Sequence, residues 1–160
     1  MRETERISDQ AQKMFGGDAW HGPSIMEVLA DVNATLAASH PIPGAHSIWE
    51  LVLHLVATQD VLLRRIRGER AGLKDEEFWP AVPSVSESTW AQTVDNLRQQ
   101  EDALRQAIAA FPEERLEARL TAEGSSAYNN FHGHIQHNAY HAGQINLLKK
   151  AGRVQELGGP

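Results

Sequence analysis

Residues 131–145 read Phe131-His132-Gly133-His134-Ile135-Gln136-His137-Asn138-Ala139-Tyr140-His141-Ala142-Gly143-Gln144-Ile145. At about 100° per residue, an α-helix places His134, His137, His141 and Gln144 on one face, which Ile145 and Leu148 continue. His137 and His141 are four apart, so their rings leave successive turns side by side. That spacing suits two imidazoles sharing one metal ion, with nitrogen–zinc distances of about 2.0–2.1 Å. The zincin pattern needs a glutamate directly after the first histidine as general base. Asn138 stands there instead, so metalloprotease chemistry is excluded. His132 points away from this face and is expected in solvent. The helix is expected to run from about Ala127 to Ala151, with Gly152 as its stop.

A helix with such a face needs partners, and the rest of the chain supplies helices rather than strands. Ser47 to about Arg67 is the most apolar stretch, with Ile48, Leu51, Leu55, Leu62 and Ile66 on one face. Ser47 and Glu50 form a capping-box pattern at its start, and Arg64, Arg65 and Arg67 suit the dipole at its end. Pro23 to Ser39 carries Ile25, Leu29, Val32 and Leu36 at helical spacing, started by Gly22-Pro23 and stopped by Pro41-Ile42-Pro43-Gly44. A third helix is expected to begin between Ser84 and Ser88 and to end at Pro112, with Trp90, Val94, Leu97, Leu104, Ile108 and Phe111 as its stripe. Glu101 interrupts that stripe. It marks either a solvated edge or a carboxylate reaching a polar pocket in the core. Residues 68–85 and 112–126 are long connections, which fit a bundle with non-sequential neighbours.

The second helix offers a partner for the histidine pair. His54 lies about 60° around the helix from Leu51, on the shoulder of the apolar stripe. An unpaired imidazole there loses hydration, so it is either hydrogen-bonded in the core or ligates an ion. Three imidazoles from two packed helices leave coordination positions open, the arrangement of catalytic rather than structural sites. Glu50, one turn before His54, either orients that ring or pairs at the surface. His134 and Gln144 either touch a bound ligand or line its pocket. His21, in Trp20-His21-Gly22-Pro23, belongs either to an exposed loop or to the pocket mouth. Arg65 is the basic residue nearest His54 on the helix wheel, about 20° away but roughly three turns along.

Composition narrows the function classes. The chain has 160 residues, no cysteine, eight histidines and a net charge of −6. A single domain over 1–160 is expected from that length. The missing cysteines exclude disulfides, thiolate zinc sites and a cysteine nucleophile. An acidic balance is a poor footprint for nucleic acid. No apolar run approaches the roughly 18 residues of a membrane span, and the polar start MRETERISDQ has no signal-peptide core, so a cytoplasmic location is expected.

The chain resembles the DinB/YfiT-like superfamily of metal-binding four-helix-bundle proteins. The resemblance is carried by Ala19-Trp20-His21-Gly22-Pro23-Ser24, by Pro43-Gly44-Ala45-His46-Ser47-Ile48-Trp49-Glu50-Leu51-Val52-Leu53-His54, and by His137-Asn138-Ala139-Tyr140-His141-Ala142-Gly143-Gln144-Ile145. It implies an all-α, up-down-down-up four-helix bundle, often a homodimer, with a divalent metal on His54, His137 and His141. It also implies chemistry on a small-molecule substrate. Members with known activities are mostly transferases or isomerases of low-molecular-weight thiols (mycothiol, bacillithiol, glutathione), and others look like metal-dependent hydrolases. The expectation is a metalloenzyme in which zinc, nickel or iron activates such a thiol or water. Its rivals are a non-catalytic metal-binding or stress-response protein and a helical interaction module without metal.

Overall fold

A computed structural model describes residues 1–72, 74–156 and 158. The expectation of one domain over 1–160 therefore includes Leu73, Leu157, Gly159 and Pro160, which lie outside the described residues. Among the described residues the protein is all-helical: α1 Glu3–Gly16, α2 Ile25–Leu29, α3 Ala34–Ala38, α4 Ile48–Ile66, α5 Glu87–Ala109 and α6 Ala127–Glu156. Two 3-10 turns, Asp75–Glu77 and Glu113–Arg115, and one isolated antiparallel bridge between Arg119 and Ser126 lie in the connections. Among the described residues, no helix is long and apolar enough to cross a membrane.

The expected helix over 23–39 is broken, and the reason is capping. Asn33 accepts a hydrogen bond from Leu36 N at 2.8 Å through Oδ1, which starts a new helix rather than continuing the old one. The backbone groups freed by the break find partners elsewhere. Trp90 Nε1 donates to Val32 O at 2.8 Å, and Glu87 Oε1 accepts from Ala34 N at 3.0 Å. Lys149 and Arg153 of α6 both pair with Asp31, and their cations hold its carboxyl down at about 2.

The polar start of the chain is itself a helix, α1, which packs chiefly on α5 and α6. Ile7, Ala11, Met14 and Phe15 are buried on one side of it. Its position is fixed by bonds to the far end of α5: Arg2 Nη2 to Ala109 O at 2.9 Å and Ser8 Oγ to Arg105 O at 3.1 Å. α1 and α4 each pack against both α5 and α6.

The third expected helix begins within its predicted window. Its N-cap is Ser86, which accepts from Thr89 N, so the cap lies two residues beyond the Ser84–Glu87 pattern. The fourth does not stop at Gly152. It continues to Glu156, and Gly152 serves instead as a point of close approach, since a Cβ there would collide with the buried Leu36 side chain of α3.

Two apolar clusters form the core. The larger surrounds Trp49, Leu55, Leu97 and Ile145, and the smaller surrounds Leu62, Leu104, Ile108 and Phe131. On α4, α5 and α6 polar residues stand between the two: Gln59 on α4, Glu101 on α5, and His134 with Asn138 on α6, all buried. Glu101 is fully buried, so the interruption of its stripe marks a core polar pocket and not a solvated edge.

Candidate metal centre

α4 and α6 bring His54, His137 and His141 together, with one ring nitrogen from each within 4.8 Å of the others. α4 begins at Ser47, whose Oγ accepts from Glu50 N at 3.1 Å. From that cap the helix turns His54 off its apolar stripe and toward α6. The Nε2 atoms of His54 and His137 are 3.1 Å apart, and those of His141 and His137 are 3.0 Å apart. Nitrogens about 2.05 Å from one ion stand about 2.9 Å apart at a right angle and about 3.3 Å apart at a tetrahedral angle. The observed spacing falls between the two.

The tautomers favour a cation at this point. His54 donates Nδ1–H to the carbonyl of Phe78 at 2.8 Å, and His141 donates Nδ1–H to Gln144 Oε1 at 2.6 Å. Each ring then presents the bare Nε2 lone pair to the centre. At most one proton, on His137, remains to bridge three nitrogens, so lone pairs face each other unless an ion accepts them. The three-histidine group can therefore hold a metal ion.

Burial keeps the rings neutral, as ligation requires. It pushes His54 below its ordinary value, against the opposing Phe78 carbonyl, and pushes His141 down against Gln144. His137 is lowered to about 4 by burial first, then by the neighbouring His141 and His54. The sign of the linkage follows. Unfolded, the His137 imidazole takes up a proton near pH 6.5; folded, it resists until about pH 4. The metal-free protein is expected to lose stability as pH falls from about 6.5 toward 4, with no further loss from this group below that. Urea midpoints at pH 7 and pH 5 should drop more steeply for wild type than for His137→Ala. Parallel curves would contradict the assignment.

Other expected site residues separate. Gln144 supports His141 directly and passes its Nε2–H to Tyr140 Oη at 3.0 Å. Glu50 does not orient His54. Its Oε2 accepts from Ser47 N at 2.6 Å and from His40 Nε2 at 3.1 Å, because the helix start competes for the carboxylate. His21 is exposed, in the loop before α2. His134 is buried and turns Nε2 toward Glu101, not toward the three histidines. His132 is half-buried beside Tyr128, and not in open solvent.

The loop between α4 and α5 supplies residues that the sequence reading did not single out. Phe78 gives the carbonyl that fixes His54. Trp79 stacks on His54 at 4.2 Å and on His46 at 3.6 Å, forming a three-ring column. The signal available was an aromatic pair, Phe78-Trp79, before a proline in a polar connection.

Two cavities open beside the histidines. One, of about 300 Å³, is lined by Thr58, Arg65, Phe78, Asn129, His134 and His137. The other, of about 490 Å³, is lined by Ile42, Leu51, Trp79, Tyr140, His141 and Gln144.

A family model described as the DinB superfamily matches residues 20–145. Neither a curated protein nor a solved structure matches the chain. The matched span contains α4, the part of α6 that carries His137 and His141, and the loop that buttresses His54. On that match, and with the histidine cluster that agrees with it, the chain belongs to the DinB superfamily.

Proposed function

We propose that the protein is a divalent-metal-dependent enzyme that transfers a low-molecular-weight thiol to a small electrophilic molecule, with His54, His137 and His141 as the metal ligands. When bound, a zinc, nickel or iron ion supplies Lewis acidity that makes a thiol or water nucleophilic near neutral pH. The observation that carries the reading is the pair of unlike cavities meeting at one histidine cluster, which suits two organic reactants. In the first, Arg65 donates Nε–H to Ala71 O at 2.8 Å and has no carboxylate partner among the described residues. Its charge is available to hold an anionic group of the thiol. The second cavity is walled by Ile42, Leu51, Trp79 and Tyr140 and suits an apolar electrophile. Trp79 keeps water from one face of His54.

The fold we assign is an up-down-down-up four-helix bundle and a single domain over 1–160, supported by the packing of α1 on α5 and α6. A homodimer is proposed as well. Tyr140, Leu147 and Val154 are exposed at seven-residue intervals along α6, a stripe suited to a second helix. Light scattering should give twice the chain mass, and a monomer at micromolar concentration would contradict this.

The test uses protein purified without a histidine tag. Metal per chain is measured, and glutathione, bacillithiol and mycothiol are each offered with electrophilic acceptors. Thiol-dependent turnover is expected, lower in His141→Ala by about 10²-fold or more. Equal rates in both proteins would sink the catalytic role, and turnover without thiol would make the enzyme a hydrolase.

A further inference from the structure

The polar layer between the two apolar clusters is not used by the metal ligands. Burying a carboxylate costs several kcal/mol unless it is well paired. Glu101, 0% exposed, is paired closely: Oε2 accepts from Gln59 Nε2 at 2.8 Å and from His134 Nε2 at 3.0 Å, and Oε1 lies 3.3 Å from the same ring nitrogen. Asn138 stands 3.2 Å from that nitrogen as well. Its amide oxygen, buried and without a partner among the described residues, suits an Nε2–H once the amide is turned over.

These contacts decide where the ring keeps its lone pair. With Nε2–H committed to the carboxylate, Nδ1 is the basic nitrogen, and it makes no hydrogen bond among the described residues. The ring lines the same cavity as Arg65 and as His137, one helical turn further on. A histidine that merely filled the core would have no need to turn an unpaired basic nitrogen away from a buried carboxylate and line a cavity.

We propose that His134 is the proton acceptor of this cavity, a catalytic general base, with Glu101 as the positioning residue that fixes its tautomer. The proposal rests on the reading that an S–H or O–H nucleophile reacts at this site. As that bond breaks, its proton passes to His134 Nδ1 and its electron pair stays on sulfur or oxygen. The nucleophile forms the new bond to the electrophilic carbon, and the leaving group departs with the pair of the bond that breaks. His134 then gives the proton up to water and ends neutral, and the leaving group takes its proton from water on the side of the second cavity. Glu101 stabilises the imidazolium in between, as a carboxylate does for a paired histidine base.

The experiment compares zinc-loaded wild type with Glu101→Gln, an isosteric change whose amide offers an N–H where the carboxylate accepted one. Nitrogen NMR reads the His134 tautomer, peptide mapping reads its acylation by diethyl pyrocarbonate, and zinc per chain is measured on the same samples. In wild type, Nε2 should carry the proton and His134 should acylate at Nδ1. In Glu101→Gln the proton should move to Nδ1 and acylation should slow by an order of magnitude or more. Zinc content and acylation of the exposed His21 should not change. A proton on Nδ1 in wild type, a His134 that resists the reagent, or a variant that keeps the wild-type tautomer and rate would each overturn the proposal. If the variant does not fold, the wild-type tautomer and reactivity decide alone. Wild type that binds no zinc would overturn the metal reading instead, and the tautomer can be read without metal, so the two failures are distinguishable.

Discussion

His137→Ala is expected to remove most of the metal-dependent stabilisation. His137 is the ring common to both short contacts, 3.1 Å from His54 and 3.0 Å from His141, so its loss leaves two ligands with nothing between them. Structural zinc sites with four ligands bind with roughly 10–16 kcal/mol, so one ligand accounts for about 3 kcal/mol, or about 10²-fold in affinity. Metal at 100 times its dissociation constant stabilises the folded wild type by about 2.7 kcal/mol. For a chain of this size that corresponds to about 5–10 °C in melting temperature. The same metal concentration should shift the variant by about 2 °C or less. An unchanged shift in the variant would mean that the ion binds elsewhere.

Trp49→Ala is expected to cost about 3–5 kcal/mol and to lower the melting temperature by about 6–20 °C. Trp49 is fully buried, donates Nε1–H to Thr93 Oγ1 at 3.1 Å, and meets Trp90 edge-on at 5.1 Å. Truncation removes the ring that joins α4 to α5 and leaves a cavity in the larger apolar cluster. Trp49→Phe keeps most of the volume and should recover more than half of the loss. Denaturation of both variants checks this, and equal costs would place the stabilisation in the indole hydrogen bond rather than in packing.

Trp49 also shows where sequence patterning falls short. Reading α4 as one apolar stripe assigns it a single buried side. Trp49, Gln59, Val61 and Leu63 are buried as well, because α4 is enclosed by α3, α5 and α6. A periodic stripe reports one neighbour well and a surrounded helix poorly. The histidine cluster is readable because its members obey helix geometry: His137 and His141 by their spacing, and His54 by being polar within an apolar run. α1 was missed because its buried side is short, Ile7 to Phe15, and its anchoring depends on α5 residues far along the chain. The break at Asn33 is a cap hidden inside an otherwise continuous apolar period. Phe78 acts through its backbone carbonyl, which any residue carries, so no side-chain pattern could announce it. Glu101 left two readings open until Gln59 and His134 were placed beside it.

Whether the three imidazoles share one metal ion is decided by anomalous diffraction at the zinc edge from crystals of the zinc-loaded protein. The expected result is a single peak about 2.0–2.1 Å from Nε2 of His54, His137 and His141, with at least one coordination position open toward a cavity. A peak at other residues, or none while the three rings stay in mutual contact, would contradict the account.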